Sequence, residues 1–160
     1  METQERNGSF FRFEDLRIYS KAIDYSVWLS TSISEPKSEK ERNLVTAFFR
    51  SAYDISLNIA EGSARSKNQF EHYLKISKTA IRECIAFTEM AYKLNMLSQE
   101  SYENSREFLM EMTRMIGALI ISLQRGSGRR HDDEDDRDEV AADVDVNESV
   151  DPLDSIETNF

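Results

Sequence analysis

Cysteine, histidine, glycine and proline are all scarce in this chain of 160 residues. The single cysteine, Cys84, excludes an intramolecular disulfide and a zinc site built from several cysteines, which is the pattern of a protein kept in a reducing compartment. We therefore expect a cytoplasmic protein. Only five glycines and two prolines interrupt the chain, and the breaks between periodic apolar segments are short. This spacing favours helices over a fold of many strands.

Long apolar runs are also absent from the sequence. The first residues mix charges and lack the apolar run of a secretory signal, and no later stretch approaches the roughly 18 apolar residues of a membrane span. We expect neither export nor a membrane partner.

The net charge of −10 is distributed unevenly. Residues 1–130 carry 19 Lys and Arg against 17 Asp and Glu, whereas residues 131–160 carry 1 against 13. Such dense like charge with few apolar residues cannot bury enough surface to offset the entropy of ordering. We expect a flexible N-terminus at 1–12, a helical domain at 13–125, and a disordered linker and acidic tail at 126–160. The tail could keep the protein soluble, compete with nucleic acid, or dock a partner.

Apolar residues recur at helical spacing in four segments. The first segment runs from about residue 15 to residue 32, and its stripe consists of Leu16, Tyr19, Ile23 and Val27. Short connections between four helices predict an all-α fold, an antiparallel up-down-up-down four-helix bundle.

Helix ends are marked by recognisable capping residues. Ser38 with Glu41, and Ser66 with Gln69, have the spacing of a capping box, in which each side chain satisfies the other residue's backbone N–H. Gly62 is expected to end the second helix in the left-handed conformation.

Extra apolar residues widen the stripes of the third and fourth helices. They are Phe87, Phe108, Met115 and Ile120. The interior of the bundle alone could account for this width, and a second apolar face for self-association is the alternative.

No catalytic, metal or cofactor site is predicted. A di-metal bundle needs a Glu-x-x-His motif, but Gln69 stands three residues before His72, and the other histidine is in the tail. Cys84 on an apolar stripe is interpreted as a small core residue. No histidine lies where it could activate a nucleophile, so we expect no enzyme.

Positive charge gathers around the third helix and could track phosphates. Lys75, Lys78 and Arg82 are three and four residues apart and are expected to share an exposed face. The full candidate set for nucleic-acid binding is Arg50, Arg65, Lys67, Lys75, Lys78 and Arg82. A solvated helix surface is the alternative interpretation.

The turn between the second and third helices holds the best polar cluster, in residues 58–66. A local interpretation is a capped turn in which Glu61 pairs with Arg65. The functional interpretation brings Asn58, Glu61 and Arg65 together as a contact for another subunit or a ligand.

Several of these residues resemble a known pattern. Phe13-Glu-Asp-Leu16, Asn58-Ile-Ala-Glu-Gly62 with Arg65, Glu83, and Phe87-Thr-Glu89 together resemble a bacterial four-helix bundle family. That family includes the 23S ribosomal RNA intervening-sequence proteins and, more distantly, the accessory variability proteins of diversity-generating retroelements. The residues matched to its motif are Asn58, Glu61, Gly62, Arg65 and Glu83. Thr79-Ala80 replace a Gly-Ser pair that the family commonly has.

The resemblance implies a homopentameric ring of bundles and therefore self-association. The accessory relatives bind nucleic acid and a reverse transcriptase, whereas the intervening-sequence members are encoded within ribosomal RNA insertions. We therefore expect an oligomeric accessory protein that binds RNA or DNA through a basic face, with a reverse transcriptase or another protein as a further partner. The alternative is a homo-oligomeric scaffold that binds only proteins.

Overall fold

The computed structural model describes residues 10–126. A short 3-10 helix spans Arg12–Asp15, and four α-helices follow as α1 (Arg17–Ser32), α2 (Glu39–Ser63), α3 (Lys67–Lys93) and α4 (Gln99–Arg125). Each α-helix packs beside its neighbour in the chain, and α1 also packs against α4. The predicted all-α four-helix bundle is therefore confirmed.

Most of the two chain ends lies outside the described residues. This includes the expected acidic tail and nearly all of the N-terminal segment. Of the expected flexible ends, only residues 10–12 and Gly126 are described. Phe10 and Phe11 are exposed, and Gly126 is the C-cap of α4. No helix among the described residues is both long and apolar enough to cross a membrane.

Serine side chains begin three of the four α-helices. At Ser66 both bonds of the predicted capping box are present. At Ser38 only one forms: the hydroxyl accepts from the Glu41 N–H, but the Glu41 carboxylate accepts from the Lys37 N–H at 2.6 Å. The predicted reciprocal bond is therefore wrong at Ser38, because the carboxylate satisfies the N–H one residue earlier.

The buried side of α1 differs from the predicted stripe. Ile23 and Val27 are 38% and 62% exposed, and Leu16 and Tyr19 are only partly buried. The residues that face the core are Ile18, Ala22, Tyr25, Ser26 and Leu29. The helix is rotated relative to the prediction because its position between α2 and α4 buries this second set. Tyr25 and the partly buried Trp28 both pack near Phe108.

The residues that widen the apolar stripes pack inside the bundle. All four, Phe87, Phe108, Met115 and Ile120, are partly buried against the core. Large fully buried side chains fill the centre, among them Tyr25, Leu29, Phe48, Ile55, Ile59, Leu74, Ile81, Leu109, Met112 and Ile116. The interior of the bundle therefore takes up part of each of these side chains.

A chain of hydroxyl groups crosses this core. The Tyr25 hydroxyl lies 2.9 Å from Ser105 Oγ, which lies 2.7 Å from Thr88 Oγ1, and Thr88 donates to the Cys84 carbonyl at 2.8 Å. Among the described residues no buried side-chain nitrogen or oxygen lacks a partner. The chain links α1, α4 and α3 without an unsatisfied group.

The turn after α3 ends that helix sharply. Asn95 has a φ of 56°, the left-handed region that Asn tolerates better than most residues. Its N–H donates to the Tyr92 carbonyl and the Met96 N–H donates to the Ala91 carbonyl, which is a Schellman motif. The Met96 carbonyl then accepts from Ser34, so the two loops at this end of the bundle are joined.

Candidate nucleic-acid interface

Three residues of the 58–66 cluster are held by local bonds at the end of α2. The Asn58 side-chain amide donates to the Asp54 carbonyl at 2.7 Å, one turn earlier in the helix. The Arg65 guanidinium pairs with the Glu61 carboxylate, and hydrogen bonding to Glu61 raises the pKa of Arg65. Both side chains of this pair are about half exposed. The arrangement agrees with a locally paired turn and leaves Asn58 directed into its own helix.

Gly62 is buried within the last turn of α2, and its φ is not in the left-handed region. The predicted left-handed cap is therefore wrong. The helix continues to Ser63, and a Cβ on Gly62 would lie 2.6 Å from Tyr73 Cβ and 2.9 Å from Phe70 Cδ2. Gly62 is required because α3 approaches the backbone of α2 too closely for any side chain.

The remaining motif residue, Glu83, lies further along the same helix pair. Its carboxylate accepts a 2.7 Å hydrogen bond from Ser51 Oγ of α2. Ala80, the second residue of the Thr79-Ala80 pair, is buried. Four of the five motif residues therefore hold α2 and its end, and Glu83 ties α3 to α2.

The buried reactive groups are poor candidates for catalysis. Burial, followed by the nearby charges of Glu83 and Asp54, raises the pKa of the Cys84 thiol. Burial also raises the pKa of Tyr25. Both groups stay protonated and inaccessible at neutral pH. Among residues 10–126 no group of three or more His, Cys, Asp or Glu could hold a metal ion.

The structure does not bring all six candidate basic residues to one surface. Arg50 is exposed on α2, Arg65 is paired with Glu61, and Lys67 donates to the Gly126 carbonyl at 3.1 Å. Lys75 and Arg82, with Lys78 between them, lie on α3. Only this last group forms a continuous row.

The row lies where α3 faces α4. Glu71 and Glu89, which share its side of α3, bond to α4: Gln124 donates to Glu71 at 3.1 Å and Tyr102 donates to Glu89 at 2.9 Å. The opposing side of α4 follows at helical spacing through Gly117, Thr113, Met110 and Arg106. We call the surface between these two bonds the basic groove. It carries Lys75, Lys78 and Arg82 on α3, and by helical spacing Gly117, Thr113 and Met110 on α4.

Lys78 is more enclosed than expected. The sequence predicts that it shares an exposed face with Lys75 and Arg82, but only 9% of Lys78 is exposed. That prediction is wrong because Lys78 lies on the side of α3 that faces α4, between the two residues, Glu71 and Glu89, that bond to that helix. No carboxylate of residues 10–126 pairs with Lys78. Since no fully buried side-chain nitrogen in this part of the chain lacks a partner, the Lys78 ammonium must reach solvent.

An aromatic column stands at one end of the basic groove. The rings of Tyr92 and Tyr102 stack with centroids 4.5 Å apart, and the Arg106 guanidinium lies 5.7 Å from the Tyr102 centroid. Burial and the bond to Glu89 raise the pKa of Tyr102, so its hydroxyl remains a donor. We did not predict this column from the sequence. Two tyrosines that flank a short turn, with an arginine one turn later, were the available signal.

A cleft of about 270 Å³ lies at the start of α1 and contains residues of both charges. Its main feature is the ion pair of Lys21 and Glu111, at 2.5 Å, with Lys21 also over the Phe108 ring. Arg17, Asp15 and Asp24 also line the cleft, so carboxylates outnumber cations there and the basic groove is the stronger candidate for an anionic ligand.

Comparison with known protein families gives a match. The family model described as 23S rRNA-intervening sequence protein matches residues 14–118, which include the α2 motif, Glu83 and the basic groove. The comparison with curated proteins found no match. Because the family match covers more than half of the chain and nearly all of the bundle, this chain belongs to the family of 23S rRNA-intervening sequence proteins.

Proposed function

We propose that this protein is a non-catalytic, self-associating accessory factor that binds nucleic acid through the basic groove. The observation that supports it best is Lys78, whose aliphatic part is buried while its ammonium has no partner among the described residues. A lysine held in this way presents its charge at a fixed place. Lys/Arg rows of this kind neutralise phosphates and release counterions, which is the main source of affinity for nucleic acid.

The nearby acidic residues leave the centre of the groove positive. Glu83 faces α2 and bonds to Ser51, and Glu111 pairs with Lys21 of α1. Glu71 and Glu89 lie at the two ends of the groove, where they bond to α4. Glu71 also pairs with Lys75 at 3.4 Å, so the unpaired charge between these ends, among the described residues, is that of Lys78.

The same groove gives no support for a chemical reaction. It offers cations but no accessible nucleophile with an adjacent base, and the buried thiol and phenol stay protonated. The family description refers to ribosomal RNA, so RNA is the first ligand to test, beside DNA. A ribosomal-RNA-linked or reverse-transcriptase-linked complex is the setting we propose for it.

The test is a binding titration with fluorescent RNA and DNA at low salt. Lys75→Gln, Lys78→Met and Arg82→Gln together should reduce the affinity at least tenfold and lower the salt slope by about 2 to 3, since three phosphate contacts are lost. Lys78→Met keeps the buried stem. The matched control removes three cations elsewhere: Lys37→Gln, Lys40→Gln and Arg42→Gln should change little.

The outcome separates the proposal from its alternative. If the wild-type protein binds neither RNA nor DNA at low salt, nucleic-acid binding is wrong and the protein-binding scaffold replaces it. The scaffold is supported by outward apolar side chains on α1 and α2, of which Val27 and Leu57 are 62% and 60% exposed.

A further inference from the structure

We propose that the ligand of the basic groove is single-stranded nucleic acid, with one unpaired base stacked on the Arg106 end of the aromatic column. This inference rests on the proposed function and adds the form of the ligand and a second contact. Single-strand binding sites combine a cationic groove that follows the backbone with planar groups on which bases stack. The structure places both parts on the α3–α4 surface.

The column is rigid enough to act as a stacking surface. Tyr92 and Tyr102 are parallel to within 29°. Each hydroxyl is anchored, Tyr102 to Glu89 and Tyr92 to Gln99. Because the rings are already fixed, a base that stacks there does not have to order them first.

Arg106 is the member of the column that faces the groove. It lies over Tyr102 and is one helical turn from Met110, which is 43% exposed. Guanidinium planes stack on nucleic-acid bases, as aromatic rings do. A base at this position would meet the planar group of Arg106 on one side and the apolar Met110 beside it.

The row of cations continues from this position. Arg82 and Lys75 are seven residues apart, so they are separated by about 10 Å along α3. A strand whose base stacks at Arg106 can therefore place successive phosphates beside Arg82, Lys78 and Lys75. A duplex offers the same phosphates, but its bases are stacked within the helix and their faces cannot reach Arg106.

The experiment compares three DNA probes of about 12 nucleotides, a length in the range of known single-strand sites. They are a single strand, its duplex, and a single strand of abasic nucleotides that keeps the phosphates and sugars. The wild-type protein should bind the single strand about fivefold or more tightly than either other probe, the effect expected for one stacked base.

Arg106→Lys tests the planar contact because it keeps the charge and removes the plane. It should lower the affinity for the single strand about fivefold and leave the abasic affinity unchanged. Arg114→Lys, at an exposed arginine of the same helix, is the matched control and should change neither. Tyr102→Leu should act as Arg106→Lys does, and circular dichroism checks its fold.

Any one of four results would overturn the inference. Equal affinity for all three probes, or equal weakening of all three by Arg106→Lys, means that the groove holds phosphates alone, and the proposed function then stands without the stacked base. Binding to none of the probes, or to the triple groove variant as tightly as to the wild type, removes the groove as a nucleic-acid site altogether.

Discussion

Gly62 shows how one residue sets the distance between two helices. The absent side chain lets α3 lie against the backbone of α2, with Tyr73 Cβ 2.6 Å from the place a Cβ would occupy. A Cβ atom is fixed by the backbone to which it is attached, so Tyr73 Cβ cannot move aside as the end of a flexible side chain would. The sequence identifies Gly62 as special but assigns it to a turn, because a glycine near a helix end usually terminates it.

Gly62→Ala should lower the free energy of unfolding by about 1 to 3 kcal/mol, since the added methyl group forces α2 and α3 apart. Gly126→Ala is the control: the nearest atom to its Cβ would be Lys67 Nζ, at 3.2 Å, the end of a flexible side chain, and the backbone oxygens of Ser122 and Leu123 lie at ordinary contact distances of 3.6 and 3.7 Å. Urea denaturation of both variants measures the difference. Equal stability of Gly62→Ala and the wild-type protein would contradict the close approach.

At the scale of the helix, the ends were easier to predict than the orientation. The caps at Ser38, Ser66 and Ser98 are local signals, and each caps its helix. The orientation of α1 is not local. This helix has apolar residues on two sides, so their spacing alone does not show which side is buried. The packing of α1 between α2 and α4 determines the buried side.

In the candidate site too, local features could be predicted from the sequence, whereas features that depend on tertiary packing could not. Spacing alone placed Lys75, Lys78 and Arg82 on one side of α3, which is a local property. The depth of Lys78 depends on α4, which lies far away in sequence, so its burial could not be read from α3. Tyr92 and Tyr102 meet across a turn between helices, and their stacking also requires the tertiary arrangement.

The hydroxyl chain that links α1, α3 and α4 predicts a loss of stability in alkali. Burial raises the pKa of Cys84 from 9.0 and of Tyr25 from 10.0, so the folded state keeps both protons after the unfolded state has released them. The contribution of these two groups to the free energy of unfolding is complete below about pH 9. It falls above that pH, by about 1.4 kcal/mol per pH unit for each group.

Urea unfolding between about pH 8 and pH 11 measures this loss. Tyr25→Phe removes one titrating group and leaves Ser105 bonded to Thr88, and Cys84→Ala removes the other. Each variant should flatten part of the alkaline decline. A wild-type stability that is constant over this range would show that neither group is shielded from solvent in the way the structure has it.

At the scale of the molecule, the outward apolar residues predict self-association. Val27 and Leu57 are the most exposed large apolar side chains of α1 and α2. We expect a homo-oligomer, with a pentamer as the specific prediction. Val27→Glu combined with Leu57→Glu should dissociate it, because burying unpaired carboxylates at the subunit contact has a large desolvation cost. Light scattering measures the mass. Ile121→Glu on α4 is the control, and a monomeric wild-type protein at micromolar concentration would refute the prediction.

The uneven charge gives a second prediction for the whole chain. A protein cut after Arg130 keeps 19 cationic and 17 acidic residues and loses 13 acidic ones. It should bind nucleic acid more tightly than the full chain, because a negative net charge slows encounter with phosphates. A cut after Gln124 also removes three arginines and controls for them. Unchanged affinity at low salt would exclude this electrostatic effect.

The single thiol of the chain, Cys84, also provides a natural probe for opening of the bundle. Its side chain is fully buried, so an alkylating reagent can reach it only while α3 is separated from its neighbours. When closing is faster than alkylation, the labelling rate gives the free energy of that opening. Mass spectrometry of the native protein can therefore test whether added nucleic acid or a higher protein concentration slows this opening, without any introduced label.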